Sequence, residues 1–158
     1  MDYDSVKSRA TEAVSHLSLT EPVTLISIQK HLETQRGRSI VIRPMDGIQD
    51  PSLCGLWFGL DDLDLVFHTN AASELHRQQI ILHEFSHMVL RHEQEVVPEE
   101  YAATLFPDLN PGRVVKALKR TDVHDDIEAT AELLADMLAN RIFASARRQP
   151  KRFGEVFG

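Results

Sequence analysis

Apolar residues recur at three- and four-residue steps over positions 4–18, where Val6, Ala10, Ala13, Val14 and Leu17 share one side. This spacing predicts an amphipathic helix. Ser27 to Arg36 reads as a second helix, stopped by Gly37 because glycine accepts the left-handed conformation at a helix end. The period then shortens to two. Ser39-Ile40-Val41-Ile42-Arg43 reads as a strand ended by Pro44, and Met45 to Ser52 as a loop rich in Asp, Gly and Pro. Cys54 to Leu60 and Leu63 to Thr69 alternate well enough for two more strands, with Gly59 to Asp62 supplying the turn between them. The expectation is a small three-stranded sheet, mixed or antiparallel, flanked by the two N-terminal helices.

Helical character returns from Ser73 to His92, a run without Gly or Pro that opens on a capping serine. Pro98 breaks the chain, Glu99 to Leu105 reads as a short helix, and Asn110-Pro111 has the cap-then-proline form that starts another helix through Leu118. A long final helix is expected over 123–147, where Ile127, Ala131, Leu134, Ala135, Leu138 and Ile142 form a stripe and Asp125 and Asp126 suit the positive end of the dipole. The fold class is therefore α+β. One domain over 1–158 is expected, with N-terminal helices in 1–37, the sheet in 38–70, and helices over 73–92 and 123–147, because 158 residues bury a single core.

Charge and cysteine usage narrow the function classes. A formal net charge of −7 argues against a general nucleic-acid binder, which needs a basic face. No apolar run reaches membrane-spanning length, and the Met1-Asp2-Tyr3-Asp4 start is acidic where a secretory signal would be basic and then apolar. The lone Cys54 rules out an internal disulfide framework and is expected to pack in a strand. A cytoplasmic protein is the expectation. The cations Arg141, Arg147, Arg148, Lys151 and Arg152 read as a helix end that suits the dipole.

The chemistry centres on His83-Glu84-Phe85-Ser86-His87, the H-E-x-x-H arrangement that zinc peptidases carry on a helix. Residues four apart lie about one turn along a helix, so both imidazoles can aim at one ion. Glu84 falls beside them, where a carboxylate can take a proton from a water activated by the metal. A catalytic zinc wants a third protein ligand. His92 does not fit the longer metzincin pattern, whose third His falls where this chain has Glu93. Glu128 is the favoured third ligand, with Glu132 four residues on placed to receive the other N–H of a ligating imidazole. His124, one turn earlier, is the alternative ligand, and a solvated acidic helix face is the plain structural reading of the same carboxylates.

Ile80 to His92, together with Glu128-Ala129-Thr130-Ala131-Glu132-Leu133-Leu134-Ala135, resembles the ImmA/IrrE family of zinc-dependent metallopeptidases. The small single-domain members are the most similar, through Leu53-Cys54-Gly55-Leu56-Trp57 and the Leu105 to Leu109 stretch between the two helices. The chain departs from many members in having Leu134-Ala135 where they carry a Phe-Ala pair, and in lacking the proline that follows there. The resemblance implies a zincin-like, gluzincin-type domain holding one zinc ion per chain on His83, His87 and Glu128, with Glu84 as base. It further implies an endopeptidase that cuts a regulatory protein, a helix-turn-helix repressor encoded beside it. Two other readings stand next to this one: a zinc-containing binding module without catalysis, and the toxin half of a toxin–antitoxin pair. For the oxyanion, His124, Tyr101 and His68 are the candidate donors, His124 favoured by its place one turn from Glu128. By fold analogy, an exposed edge strand near Leu56 to Gly59 would take an extended substrate by strand addition, with Trp57 or Phe58 forming a side-chain pocket.

Overall fold

A computed structural model of the chain describes residues 2–45, 55–70, 73–108, 112–119 and 124–148. The Cys54 packing, the Met45 to Ser52 loop beyond Met45, the Asn110-Pro111 helix start and the Lys151 and Arg152 cations fall wholly or partly outside these residues. Among the described residues the fold is α+β, with five helices and a mixed five-stranded sheet. No described helix is long and apolar enough to cross a membrane.

Helix α1 (Tyr3–His16) and helix α2 (Leu25–Arg36) both have side-chain caps. Thr24 and Ser27 form a reciprocal capping box, so α2 begins before Ser27. Gly37, at φ 67°, ends it. Strand β1 (Ser39–Pro44) runs parallel to β3 (Leu63–His68), and β2 (Gly55–Gly59) forms an antiparallel hairpin with β3, closed by the Leu60 N–H on the Leu63 carbonyl at 2.8 Å. Helix α3 (Glu74–Val89) is capped by Ser73, whose hydroxyl accepts the His76 N–H. Strand β4 (Gln94–Val96), helix α4 (Glu99–Leu105), strand β5 (Lys116–Leu118) and helix α5 (His124–Arg148) complete the order.

The sheet corrects the three-strand expectation: its order is β1-β3-β2-β5-β4. Each of the two added strands has three residues, too few for alternation to be visible. Lys116–Leu118, read from the sequence as helix, is instead a strand because Phe58 and Gly59 offer it a free ladder, pairing with Ala117 and Lys116. Tertiary pairing overrides the local signal. The same pairing makes β2 an interior strand at Phe58 and Gly59, so the expected exposed edge there is lost.

The pleat sends alternate β2 and β3 side chains to opposite faces. Trp57 and Val66 join Ile40 and the helices in one core, with Phe85, Leu82 and Ile81 from α3 and Leu134 and Leu138 from α5. Phe58 faces the other way, meeting Phe67 and Phe106 edge-on at 6.0 and 5.2 Å and packing with Ala102 of α4. Asp64 is fully buried on the helix-facing side, where Arg36 donates to it at 2.8 Å and Trp57 Nε1 at 3.1 Å. These charged hydrogen bonds fasten the end of α2 to the hairpin. Helix α5 packs against both α1 and α3. The contact between α3 and α5 builds the site.

Candidate metal centre

The buried stripe of α3 carries Ile80, Ile81, Leu82, Phe85 and Met88 into the core, and this fixes the helix rotation. His83, Glu84 and His87 are thereby carried toward the cleft between α3, α5 and the sheet. From α5, the buried Ala131 and Leu134 set the matching rotation that turns Glu128 and Glu132 toward α3. His83 Nε2 lies 3.2 Å from His87 Nε2 and 2.8 Å from Glu128 Oε2, and His87 Nε2 lies 3.5 Å from Glu128 Oε1. One ligand atom from each of these residues falls within 4.8 Å of the others.

These spacings fit a divalent ion. Two nitrogens bound to tetrahedral zinc at about 2.0–2.1 Å stand about 3.3 Å apart, close to the 3.2 Å between the imidazoles. Two imidazoles and one carboxylate are also a donor set that suits zinc.

Glu132 stands behind His83, with Oε2 at 2.6 Å from Nδ1. Gln79, one turn before His83, donates to Glu132 at 3.2 Å and to Asp136 at 2.8 Å. His83 bridges two carboxylates. Burial opposes its positive charge, but hydrogen bonds to Glu128 and Glu132 outweigh it, and its pKa is pushed up to about 10. Glu128 shows the converse: burial disfavours its charge, yet hydrogen bonds from His83 and His87 hold its carboxyl well below the usual carboxylate range.

Glu84 is 7% exposed, and burial, partly offset by the neighbouring imidazoles, raises its pKa. Its room comes from Gly55, the residue of β2 that faces it. A Cβ at Gly55 would stand 2.8 Å from Ile80 Cγ2 and 3.1 Å from Glu84 Oε1. Any side chain there would press on the carboxylate.

A cavity of about 680 Å³ opens over the cluster, bordered by His83, Glu84, His87 and Glu128, and further out by Leu56, Val96, Tyr101 and His124. His124 Nε2 is 3.8 Å from Glu128 Oε1, and its buried Nδ1 has no hydrogen-bond partner among the described residues. Tyr101 is 54% exposed on the same cavity. His68 is absent from its border, and its Nδ1 lies 2.9 Å from the Thr69 carbonyl oxygen. Trp57 and Phe58 border the cavity, but the two residues are 5% and 3% exposed and their rings belong to the two cores. Both rings thus pack in the cores while their residues border the cavity.

The positions that Gln79, Gly55 and His92 take at the site were not legible in the sequence. Gln79 sits four residues before His83, so helical spacing is its one signal. Gly55 carried no signal beyond its residue type. His92 was weighed only as a ligand, yet its Nδ1 lies 2.8 Å from His87 Nδ1. Burial, the largest cause, lowers its pKa to about 4.

Comparison with protein-family models, curated proteins and solved structures finds no match to this chain.

Proposed function

We propose that the chain is a zinc-dependent endopeptidase with a zincin-like fold of the ImmA/IrrE kind, working in the cytoplasm on a regulatory protein. The observation that carries this reading is the convergence of His83 Nε2, His87 Nε2 and a Glu128 oxygen beside a buried carboxylate, Glu84, on one open cavity. A divalent ion held by the first three would act as a Lewis acid on the scissile carbonyl and on a water molecule. Glu84 takes the proton of the attacking water and returns it to the leaving nitrogen. Its raised pKa suits both halves of that transfer, since a base that is too acidic holds a proton poorly. Glu132 accepts the Nδ1–H of His83 and keeps the Nε2 lone pair toward the ion. His124 is the favoured candidate donor to an oxyanion by its position next to Glu128, with Tyr101 also on the cavity.

For an extended substrate, Gly55 and Leu56 are the β2 residues on the cavity that carry no β5 partner among the described residues. They offer a short backbone edge for strand addition. The helix-turn-helix repressor as substrate rests on the family resemblance. Incubation with a repressor encoded next to this gene, with and without chelator, followed by mass spectrometry of the products, tests the reading. Chelator-sensitive cleavage at a defined bond is the expected result, and an intact repressor in the zinc-loaded reaction removes it as the substrate.

A further inference from the structure

Helix α3 ends in a way that the H-E-x-x-H pattern does not require. Leu90 caps it, the Arg91 N–H bonds the Met88 carbonyl at 3.0 Å, and the His92 N–H reaches back to the His87 carbonyl at 3.0 Å. This is the paired bonding of a Schellman motif, in which the residue after the cap adopts the left-handed conformation. Arg91 does so at φ 55°, in a place that favours glycine. The reversal folds His92 over the last turn and brings its ring against that of His87, with centroids 5.1 Å apart and Nδ1 to Nδ1 at 2.8 Å.

We propose that His92 is a positioning residue of the metal centre, accepting the Nδ1–H of His87 so that His87 Nε2 is held toward the ion. The inference rests on the metal-centre reading above and adds a partner for the second imidazole.

The ligand role sets the tautomers. His87 Nε2 faces His83 Nε2 and Glu128, so as a ligand it must offer a lone pair there, and its proton resides on Nδ1. His87 is 1% exposed, so that N–H has little access to water and needs an acceptor from the protein. His92 Nδ1 is the acceptor, which places the proton of His92 on Nε2. The two imidazoles are thus oriented differently, His83 by the carboxylate of Glu132 and His87 by another imidazole. His92 borders a separate cavity of about 780 Å³ with Arg36, Arg38 and Arg91, and is not on the border of the metal cavity. Changing it alters the orientation of His87 without adding or removing atoms in the substrate space.

The test measures zinc affinity of the full chain by competition with a chromophoric chelator, and the absorption bands of the cobalt-substituted protein. His92→Leu fills similar space but accepts no hydrogen bond. It is expected to weaken zinc roughly 10- to 100-fold and to shift the cobalt bands. His92→Asn carries Oδ1 two bonds from Cβ, as Nδ1 is in histidine, and is expected to restore both readouts. The metal-free thermal midpoint of each variant separates orientation from a general loss of fold. Unchanged zinc affinity in His92→Leu overturns the proposal and leaves the metal centre standing, as does a loss in His92→Asn equal to that in His92→Leu. A wild-type chain that takes up no zinc overturns both.

Discussion

His83 Nδ1 and Glu132 Oε2 stand 2.6 Å apart, while the opposite nitrogen of the same ring meets Glu128 at 2.8 Å. One imidazole therefore spans two carboxylates on a neighbouring helix, and α3 is locked to α5 at the point where an ion would sit.

The lock has a pH signature. The folded-state pKa of His83 is raised from 6.5 to about 10, so its contribution to stability is fully present below about 6.5 and is lost as pH rises toward about 10. The thermal midpoint of metal-free protein is expected to fall over that window. Zinc requires the His83 Nε2 lone pair and so displaces its proton, and affinity should rise roughly tenfold per pH unit below about 10. Chelator competition at several pH values measures the slope, and a flat profile would remove the imidazolium bridge.

Glu128 and Glu132 should separate by magnitude. Glu128→Ala removes the proposed oxygen ligand and is expected to abolish tight zinc binding, whereas Glu132→Ala releases only the far side of His83 and should cost roughly 10- to 100-fold. Elemental analysis is expected to give about one zinc per wild-type chain. If His124→Ala empties the centre while Glu128→Ala leaves it filled, the ligand assignment is wrong.

Elements with a long repeating pattern were legible in the sequence. The α5 stripe from Ala131 to Leu138 is buried as its spacing requires, and the β2–β3 hairpin follows its alternation. The strands Gln94–Val96 and Lys116–Leu118 were not legible, because three residues carry no period and their conformation is dictated by pairing, of Lys116–Leu118 with β2 and of Gln94–Val96 with Lys116–Leu118. At the site, ligand types with helical spacing could be read from α3 and α5 separately. Their convergence depends on how the two helices pack, and the contact of His92 with His87 depends on a left-handed Arg91 that residue type does not announce.

Glu84→Gln separates binding from catalysis. The amide keeps the shape of the side chain but cannot take the proton of a water, so cleavage should fall by about 100-fold or more while zinc content is unchanged. Burial that raises the pKa of Glu84 also favours a neutral group there, so the substitution is expected to leave the thermal midpoint equal or higher. Cleavage at the wild-type rate would exclude Glu84 as the base. A biological effect that persists after cleavage is lost would favour the binding-module reading.

Gly55→Ala tests the space in which that base works. The added methyl would meet Ile80 Cγ2 at 2.8 Å, Glu84 Oε1 at 3.1 Å and the Phe67 carbonyl oxygen at 3.3 Å, so the carboxylate and α3 must give way. Ile80 is held in the buried face of α3 and the Phe67 oxygen belongs to β3, which leaves the Glu84 side chain as the freest of the three to move. The proposed ligand atoms of His83, His87 and Glu128 are not among those contacts. Zinc affinity is therefore expected to stay near the wild-type value while the cleavage rate drops, because a displacement of about 1 Å at a reacting group can cost on the order of 100-fold. Measuring both quantities on one preparation decides it: equal loss of zinc and cleavage would mean that the helix, rather than the carboxylate, had moved.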